Sequence, residues 1–475
     1  MDNDKEFVHF IQTLYGYYVF DVNTNNIIEV SKNVYEELKT KNNNTEAIDE
    51  EARKKINDMK KEGLFSSKRA KSIVHPQSKY IEYHLKHKVR KVTLQVTQKC
   101  NFRCSYCVYS ASANDRQRAH SLKSMSFETA KKSIDFLVNH SRDLDFTNIG
   151  FYGGEPLLEF ELIKKCIEYS EYELEGKKVT YSITTNGSLL TDEIVEYFIK
   201  HDVSTMISLD GPKEIHDRQR RFAANGCGTF DVIERNLLRI RDKYPEYFKK
   251  LHFSVVIDPR NDFECVNRLY TDYDIFKEVT VRSSTIDDVY SNEKTFFTEE
   301  YIMKRDYEIF KAYLYYFNRL HRNDVSPIAV QEISQIENIS RKFGHIKEMP
   351  DNTSHAGPCI PGALRLFINS DGYLYPCERV SEMSDAMTLG HVDTGFNIEK
   401  ARNILNVGSL TEKTCINCWA IGHCTLCAKH ADNLRELSGN MKMSFCREVR
   451  NHTDHSFRNY IAFKEVKTHF SNLIK

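Results

Sequence analysis

The sequence lacks the features that mark membrane proteins and nucleic-acid-binding proteins. It contains no run of about 18 consecutive apolar residues, so no membrane-spanning helix is predicted. Its formal net charge is zero, which gives no general attraction to nucleic acid or to a membrane surface. The N-terminal stretch MDNDKEFVHF lacks the charged-then-apolar pattern of a secretion signal. We therefore expect a cytoplasmic protein that has neither a membrane nor a nucleic acid as its partner.

Cysteine, in contrast, is abundant for a protein of this kind. The sequence has 13 cysteines, and disulfides are rare in the reducing cytosol. Three of them are spaced C-x3-C-x2-C within CNFRCSYC, residues 100–107, just after the alternating stretch VTLQV. Seven others follow residue 353, and the close spacing of both groups is typical of metal ligands. These seven are Cys359, Cys377, Cys415, Cys418, Cys424, Cys427 and Cys446.

Strands and helices alternate in the middle of the chain, which predicts an α/β fold with a parallel sheet. Six strand–helix units are too few for a full eight-stranded barrel, so we predict a partial, TIM-like (β/α)6 barrel. In such sheets the chemistry lies at the carboxyl ends of the strands. Cys100, Gly153, Asn186 and Asp210 follow the first four strands and are therefore predicted to share one rim. The predicted strands are residues 92–96, 147–152, 179–184, 203–209, 251–257 and 277–283.

Other units flank the predicted barrel. The segment YYVFDVNTNNIIEV, residues 17–30, predicts a β-hairpin, and the helical patterns after it suggest a winged-helix-like module. The C-terminal part is rich in cysteine and poor in periodic pattern, as expected where metal clusters replace a hydrophobic core. The predicted domains are residues 1–85 (module and linker), 86–297 (barrel), 298–352 (bridging helices) and 353–475 (cysteine-rich domain).

The three cysteines of CNFRCSYC leave two kinds of metal site open. A structural zinc ion takes four closed ligands, and the nearest further candidate is His120 unless a ligand comes from elsewhere in the chain. A [4Fe–4S] cluster held by three cysteines keeps one iron without a protein ligand. Such an iron can chelate a small molecule through an amine and a carboxylate.

At this point the sequence resembles a known family. CNFRCSYC after a first strand resembles the cluster motif of the radical S-adenosylmethionine (SAM) enzymes, and FYGGEPLL, residues 151–158, is similar to their GGEP motif. The resemblance implies that Cys100, Cys104 and Cys107 hold a [4Fe–4S] cluster whose free iron binds SAM. It also implies reductive cleavage of SAM to a 5′-deoxyadenosyl radical, which removes hydrogen from a substrate.

The same resemblance predicts residues that contact SAM. Glycines allow close backbone approach, Glu155 is expected to accept from the SAM ammonium, and Arg220 is expected to pair with the SAM carboxylate. TTNG, ISLDGP and HDRQR resemble matching stretches of the family. The predicted SAM-contact residues are Tyr106, Gly153, Gly154, Glu155, Asn186, Ser208, Asp210 and Arg220.

The second cysteine group resembles the SPASM domain, which carries two auxiliary [4Fe–4S] clusters, although one or two zinc ions stay open as an alternative. Its last spacing is x2 here, whereas x3 is usual in the family. The resemblance implies a distal cluster on Cys415, Cys418, Cys424 and Cys446, and a proximal cluster on Cys359, Cys377 and Cys427. Because residues 360–376 hold no cysteine, we predict that the proximal cluster lacks a fourth protein ligand. His355, His391 or Glu378 are the alternatives for that position.

The N-terminal module resembles the recognition element of enzymes that mature ribosomally made peptides, which binds a leader peptide as an added strand. Together these resemblances imply an enzyme that forms thioether links in a cysteine-rich precursor peptide, as similar peptide maturases do. It would use three [4Fe–4S] clusters, SAM and an electron donor such as flavodoxin or ferredoxin. Glu378 is the predicted catalytic proton acceptor. Alternatives are carbon–carbon crosslinking, sulfatase-type conversion of cysteine to formylglycine, and a non-enzymatic zinc scaffold.

Overall fold

The N-terminal segment forms a small antiparallel sheet with two helices. The computed structural model describes residues 5–42, 49–109, 117–261, 263–276, 279–291, 294–344 and 348–473. Asp49 caps the second helix by accepting from the Ala52 amide. The elements are β1 (Val8–Gln12), β2 (Tyr17–Asp21), β3 (Asn26–Val30), α1 (Lys32–Asn42) and α2 (Glu50–Lys61), and the sheet order is β1-β2-β3.

A short strand and a helix lead into alternating strands and helices. The strand at residues 91–97 is buried at every position but its first, whereas the later barrel strands alternate buried with more exposed positions, and the strand at residues 280–285 is mostly exposed. The elements are β4 (Ser72–Ile73), α3 (Ile81–His87), β5 (Lys91–Thr97), β6 (Phe102–Cys104), α4 (Phe127–His140), β7 (Phe146–Gly153), α5 (Phe160–Glu173), β8 (Lys178–Thr185), α6 (Asp192–Lys200), β9 (Val203–Ser208), α7 (Lys213–Gln219), β10 (Arg220–Phe222), α8 (Phe230–Lys243), α9 (Pro245–Phe248), β11 (His252–Ile257), α10 (Phe263–Asp272) and β12 (Thr280–Thr285).

Two helices and the cysteine-rich segment follow the barrel. Thr298 caps the first of these helices by accepting from the Tyr301 amide. The elements are α11 (Glu299–Tyr316), α12 (Pro327–Ser340), β13 (Asn352–Thr353), β14 (Leu366–Ile368), β15 (Tyr373–Tyr375), β16 (Gly390–His391), β17 (Gly395–Phe396), α13 (Ile398–Leu405), α14 (Glu412–Cys415), α15 (Gly439–Ser444) and α16 (Cys446–Leu473).

One ten-stranded sheet joins the barrel to the cysteine-rich segment. Its order is β12-β11-β9-β8-β7-β5-β14-β15-β16-β17, and all six barrel strands are parallel to their neighbours. The strand β14 extends the sheet by pairing in parallel with β5. Two further short strands, β6 and β10, form a separate antiparallel ribbon. The predicted α/β class and the partial, TIM-like barrel of six strand–helix units are therefore confirmed.

The predicted strand positions agree with the structure to within a few residues. The sixth strand is β12, and residues 277–278 of its predicted range lie outside the described part of the chain. The region predicted to hold bridging helices begins with α11, which ends at Tyr316. In the described residues no helix is both long and apolar enough to cross a membrane. The domain boundaries stay predictions.

Candidate active site

The three-cysteine loop begins where β5 ends. Cys104 lies in the β6–β10 ribbon, directly opposite Arg220. The Phe102 amide donates to the Cys100 sulfur at 3.3 Å, and the Tyr109 amide donates to the Cys107 sulfur at 3.5 Å. Hydrogen bonds to sulfur are among the features that tune iron–sulfur clusters. The loop therefore holds three thiols and already directs backbone donors at two of them.

These three thiols are close enough to influence one another. Burial, with a smaller contribution from the other thiols of the loop, raises the pKa of both Cys100 and Cys104 to about 12. Without a metal the thiols are protonated, and metal binding would displace those protons. No three His, Cys, Asp or Glu side chains converge on a single-ion site anywhere in the described ranges. A [4Fe–4S] cluster is larger than a single ion, so its ligands do not need to converge on one point. The three thiols of the loop therefore fit a cluster.

The two glycines of the GGEP motif hold the ends of β7 and β5 together. A Cβ on Gly153 would collide with the Thr97 carbonyl oxygen, and one on Gly154 would collide with the Lys99 carbonyl oxygen. The close approach lets the Gly154 amide donate to Thr97 at 3.0 Å and the Glu155 amide donate to Lys99 at 2.8 Å. The glycines thus fix the backbone that leads into Cys100. Their predicted contact with SAM stays a prediction.

Glu155 ties the end of β7 to the end of β8. Its fully buried carboxylate accepts from the Leu157 amide at 3.0 Å, the Thr185 hydroxyl at 2.7 Å and the Asn186 amide at 2.7 Å. Burial raises the pKa of Glu155 to about 7, although these hydrogen bonds oppose the shift. In this structure both oxygens are therefore occupied by the protein's own donors. A contact with the SAM ammonium stays a prediction.

A buried ion pair lies behind Cys104. Arg220 donates to Asp210 from Nε at 2.7 Å and from Nη2 at 3.1 Å, and the Val256 amide donates to the same carboxylate at 3.0 Å. The Tyr106 hydroxyl also hydrogen-bonds Asp210. Burial raises the pKa of Asp210, but the charge and hydrogen bonds of Arg220 outweigh it and hold the pKa below its usual value. Arg220, the predicted partner of the SAM carboxylate, is thus already paired with a carboxylate of the protein.

The remaining predicted contacts lie on the same rim. The Asn186 side chain donates to Asn101, the neighbour of Cys100, at 2.8 Å, and Ser208 ends β9 two residues before Asp210. With the Gly154, Glu155 and Tyr106 contacts, these bonds connect all four strand ends. The prediction that the four motifs share one rim is confirmed. Beside the loop lies a cavity of about 270 Å³ whose lining includes Tyr106, Cys107, Asp287 and Tyr290.

The predicted distal cysteines come together in the structure. Cys415, Cys418, Cys424 and Cys446 line one cavity. Lys442 lies in the same cavity, almost completely buried, and its Nζ donates to the Thr411 hydroxyl at 2.8 Å and to the Cys415 sulfur at 3.6 Å. A buried cation beside four thiols suits an anionic cluster. Ligation by these cysteines stays a prediction.

The predicted proximal cysteines also form a group. Cys359, Cys377 and Cys427 act on one another electrostatically, and burial raises the pKa of Cys377 to about 12. His430, which the sequence analysis missed, has its Nδ1 3.8 Å from the Cys427 sulfur. The sequence contains a signal for this contact, because Cys427 and His430 have the spacing C-x2-H.

Three residues were predicted as alternatives for the fourth ligand of the proximal group, and each has other contacts in the structure. His355 lines the distal cavity instead. The His391 Nε2 lies 2.9 Å from the Asp371 carbonyl oxygen. Glu378 accepts from Arg365 at 3.1 Å. Of the three, Glu378 remains next to the group because it directly follows Cys377.

The geometry defines a class of protein: a partial α/β barrel that gathers three thiols on the carboxyl rim of its sheet, with further cysteine groups beside it. Residues 94–269 match the family model of the Radical SAM superfamily. The chain therefore contains a domain of the Radical SAM superfamily.

Relatives and solved structures agree with this assignment. The radical SAM cyclopropyl synthase TigE of Paramaledivibacter caminithermalis is 24% identical over 71% of this chain and 67% of its own length. A cysteine-type anaerobic sulfatase-maturating enzyme of Clostridium perfringens is 24% identical over 75% of this chain and 93% of its own length. With other curated relatives the chain matches only 47% to 50% of their length. The solved structure of native anSMEcpe with bound AdoMet has the same fold, with a TM-score of 0.57, 19% identity and coverage of 81% of this chain and 98% of its own.

Proposed function

We propose that this enzyme matures a ribosomally made peptide by joining the sulfur of a substrate cysteine to a carbon of the same peptide. The observation that carries the proposal is the position of the proximal cysteine group. Glu378 and Arg379, which follow Cys377, line a cavity of about 850 Å³ on the concave face of the sheet. A peptide in that cavity would lie between the rim with the first three cysteines and the proximal group.

The donor sets support the cofactors that the proposal requires. Cys100, Cys104 and Cys107 would hold the [4Fe–4S] cluster to which SAM binds, and the proximal and distal groups would hold the two auxiliary clusters. When bound, these groups supply the 5′-deoxyadenosyl radical and a sink for one electron. A reductant such as flavodoxin or ferredoxin would supply the electron for SAM cleavage, and the reducing cytosol is the proposed setting.

The chain's own residues position and deprotonate the substrate. Each thioether link removes a hydrogen atom from carbon, and a proton and an electron from the thiol. Glu378 is the proposed acceptor of that proton, and its ion pair with Arg365 holds it at the cavity wall. The Asp210–Arg220 pair and Glu155 keep the rim rigid, which is the positioning that radical chemistry on one chosen carbon needs.

The N-terminal sheet supports a leader-bearing peptide as substrate. Within the described residues β3 pairs only with β2, so its outer edge has no strand beside it. The β1 edge is in part covered, because the Phe7 amide donates to Ser66 and Arg458 donates to the Gln12 carbonyl. A leader peptide would therefore add to β3, with backbone hydrogen bonds supplying the affinity.

Two alternatives within the superfamily have their own support. Cysteine-to-formylglycine conversion is favoured by the sulfatase-maturating relative, which this chain matches over 93% of its length, and solved structures of the same fold carry bound substrate-like peptides. Carbon–carbon bond formation is favoured by the similarity to the cyclopropyl synthase.

One experiment separates the three reactions. The anaerobically reconstituted enzyme is incubated with SAM, a reductant and the cysteine-rich peptide encoded beside it, and the product is analysed by mass spectrometry before and after alkylation. Thioether formation predicts loss of two hydrogens per link and a thiol that no longer alkylates. Loss of two hydrogens with the thiol intact would indicate a carbon–carbon link, and replacement of the thiol by an aldehyde would indicate formylglycine. A Cys104→Ala variant is the control, since it should cleave no SAM.

A further inference from the structure

The cavity on the concave face of the sheet has an unusual charge lining. It is bounded by residues of β5, β7, β8 and β12 and by residues of the segment 364–379. Its polar wall includes hydroxyl side chains such as Ser182, Ser254 and Ser284. Among the described residues, five cationic side chains and one carboxylate line it: Arg90, Lys91, Arg282, Arg365, Arg379 and Glu378.

Most of this positive charge has no compensating carboxylate. Glu378 pairs with Arg365 at 3.1 Å. Lys91 donates to a neutral group, the Ser182 hydroxyl, at 3.1 Å, and the Arg90 guanidinium stacks over the Phe146 ring at 5.1 Å. Arg282 and Arg379 are exposed to the cavity, and in the described part of the chain neither forms an ion pair. The cavity therefore carries an excess of positive charge in partial shelter from solvent.

The cations act on one another within the cavity. Burial lowers the pKa of Lys91, Glu378 raises it in part, and the charges of Arg365 and Arg282 lower it again. Like charges held this close repel, and the repulsion is relieved when an anion enters. The cavity is thus better suited to a negatively charged occupant than to an empty or neutral one.

Some basic residues outside the cavity are matched by acids. In the basic stretch 66–91, Lys68 pairs with Glu348 and Lys71 pairs with Asp351. Lys86 pairs with Glu82. These three lysines differ in this respect from Arg282 and Arg379 of the cavity.

We propose that this cavity binds a peptide segment that carries aspartate or glutamate side chains beside the residue to be modified. The proposal rests on the proposed function, because it assigns a substrate class to the same cavity. Because the cations come from several elements, β5, β12 and the segment after β14, they can pair with several separate carboxylates, which suits a peptide better than a single phosphate group. The hydroxyl lining suits the amides of a peptide backbone.

A binding experiment with the reconstituted full-length enzyme tests the proposal. The probe is a short fluorescein-labelled peptide, without a leader, in which glutamates flank a central cysteine, and matched peptides carry glutamine or lysine instead. Fluorescence anisotropy is measured at low ionic strength for the wild type, for Arg282→Gln and for Arg379→Gln. The control variant is Arg235→Gln, an exposed arginine of α8 that does not line the cavity.

We expect the glutamate peptide to bind more tightly than the other two. Each cavity substitution should weaken its binding about three- to five-fold, as for a partly exposed ion pair, whereas Arg235→Gln should have no effect. Added salt should weaken binding, since exposed charges are screened.

Two results would overturn the inference. One is equal affinity for the glutamate and glutamine peptides, or cavity variants that bind like the control variant. The other is full displacement of the peptide by inorganic phosphate at the same concentration, which would point to a phosphate site. Because binding needs no SAM cleavage, failure of the proposed reaction would appear separately, as an unmodified leader-bearing peptide with normal probe binding.

Discussion

Replacing Asp210 with asparagine tests whether the buried ion pair holds the cluster loop. Asparagine keeps one oxygen for the Val256 amide and Arg220 Nη2, which now lie 3.0 Å and 3.1 Å from Oδ1. Its amide NH2 group, however, would face the Arg220 Nε–H, which donates to Oδ2 at 2.7 Å in the native protein. In the variant two hydrogen-bond donors, the asparagine NH2 group and the Arg220 Nε–H, would therefore face each other. The buried Arg220 guanidinium would also have no counter-charge.

Breaking one side of a buried ion pair costs about 3 to 5 kcal/mol, because the remaining charge stays desolvated. We expect Asp210→Asn to lower the free energy of unfolding by this amount in anaerobic urea denaturation followed by circular dichroism. The double variant with Arg220→Met should recover part of the loss, since removing both charges also removes the desolvation penalty. Bound iron should fall as well, because Arg220 is paired with Cys104 across the ribbon. Glu51→Gln, at an exposed pair on α2, is the control and should cost under about 1 kcal/mol.

The pH dependence gives a second check on Asp210. Its pKa is lowered in the folded protein, so its contribution to stability is complete above its unfolded pKa of about 3.9 and is lost as the pH falls through the lower folded value. The difference in stability between wild type and Asp210→Asn should therefore shrink at acidic pH. A difference under about 1 kcal/mol at neutral pH, or one that is independent of pH, would refute the reasoning.

Three further predictions concern other parts of the rim and the distal cavity. Gly154→Ala should strongly reduce both iron content and thermal stability, because the new methyl group meets the Lys99 carbonyl. The control is Gly176→Ala, which meets no atom within 4 Å. Its φ of +84° makes alanine locally strained, so it should cost some stability but leave iron content unchanged. The pKa of Glu155 is raised to about 7, so the free energy of unfolding of the wild type should fall as the pH rises from about 4 to about 7. Denaturation of Glu155→Gln across that range should lack this part of the pH dependence. Lys442→Met should make the reduction potential of the proposed distal cluster more negative by about 59 mV or more, a tenfold change in the one-electron equilibrium. An EPR-monitored redox titration measures this shift, and the exposed Lys413→Met is its control. An unchanged potential would contradict a role for the buried charge.

The sequence predicted the barrel well because its signals are local. The six strands are short apolar or alternating runs separated by polar segments, and the helices between them have clear apolar faces. The cysteine groups were also predictable, because ligand spacing within a loop is a property of the sequence alone. The resemblance to the SPASM domain grouped Cys446 with Cys415, Cys418 and Cys424. In the structure these four cysteines line one cavity.

The surroundings of the individual polar residues were not predictable. A motif shows that Glu155 lies at a strand end, but not whether its carboxylate faces a ligand or three backbone and side-chain donors of the protein. The pairing of Asp210 with Arg220 depends on the ribbon of β6 and β10, whose strands have only three residues each, too few to show a period. The positive charge of the barrel cavity was not predictable because it is not a local property of the sequence. Lys91, Arg282 and Arg379 are far apart in the sequence and line the same cavity only in the folded chain.

The N-terminal sheet and the cysteine-rich segment share one hydrophobic core although the sequence suggests separate units. Phe7, Ile11 and Phe20 of the sheet region pack in one cluster with Cys415, Ile421 and Phe457. The His9 ring stacks on Trp419, the neighbour of Cys418, at 3.6 Å, and His423, the neighbour of Cys424, lies 2.8 Å from the Asn25 side chain. The proposed distal cluster would therefore lie beside the core that supports the sheet proposed to hold the leader. Because the two sites share this core, we expect loss of that cluster to weaken leader binding as well as electron transfer.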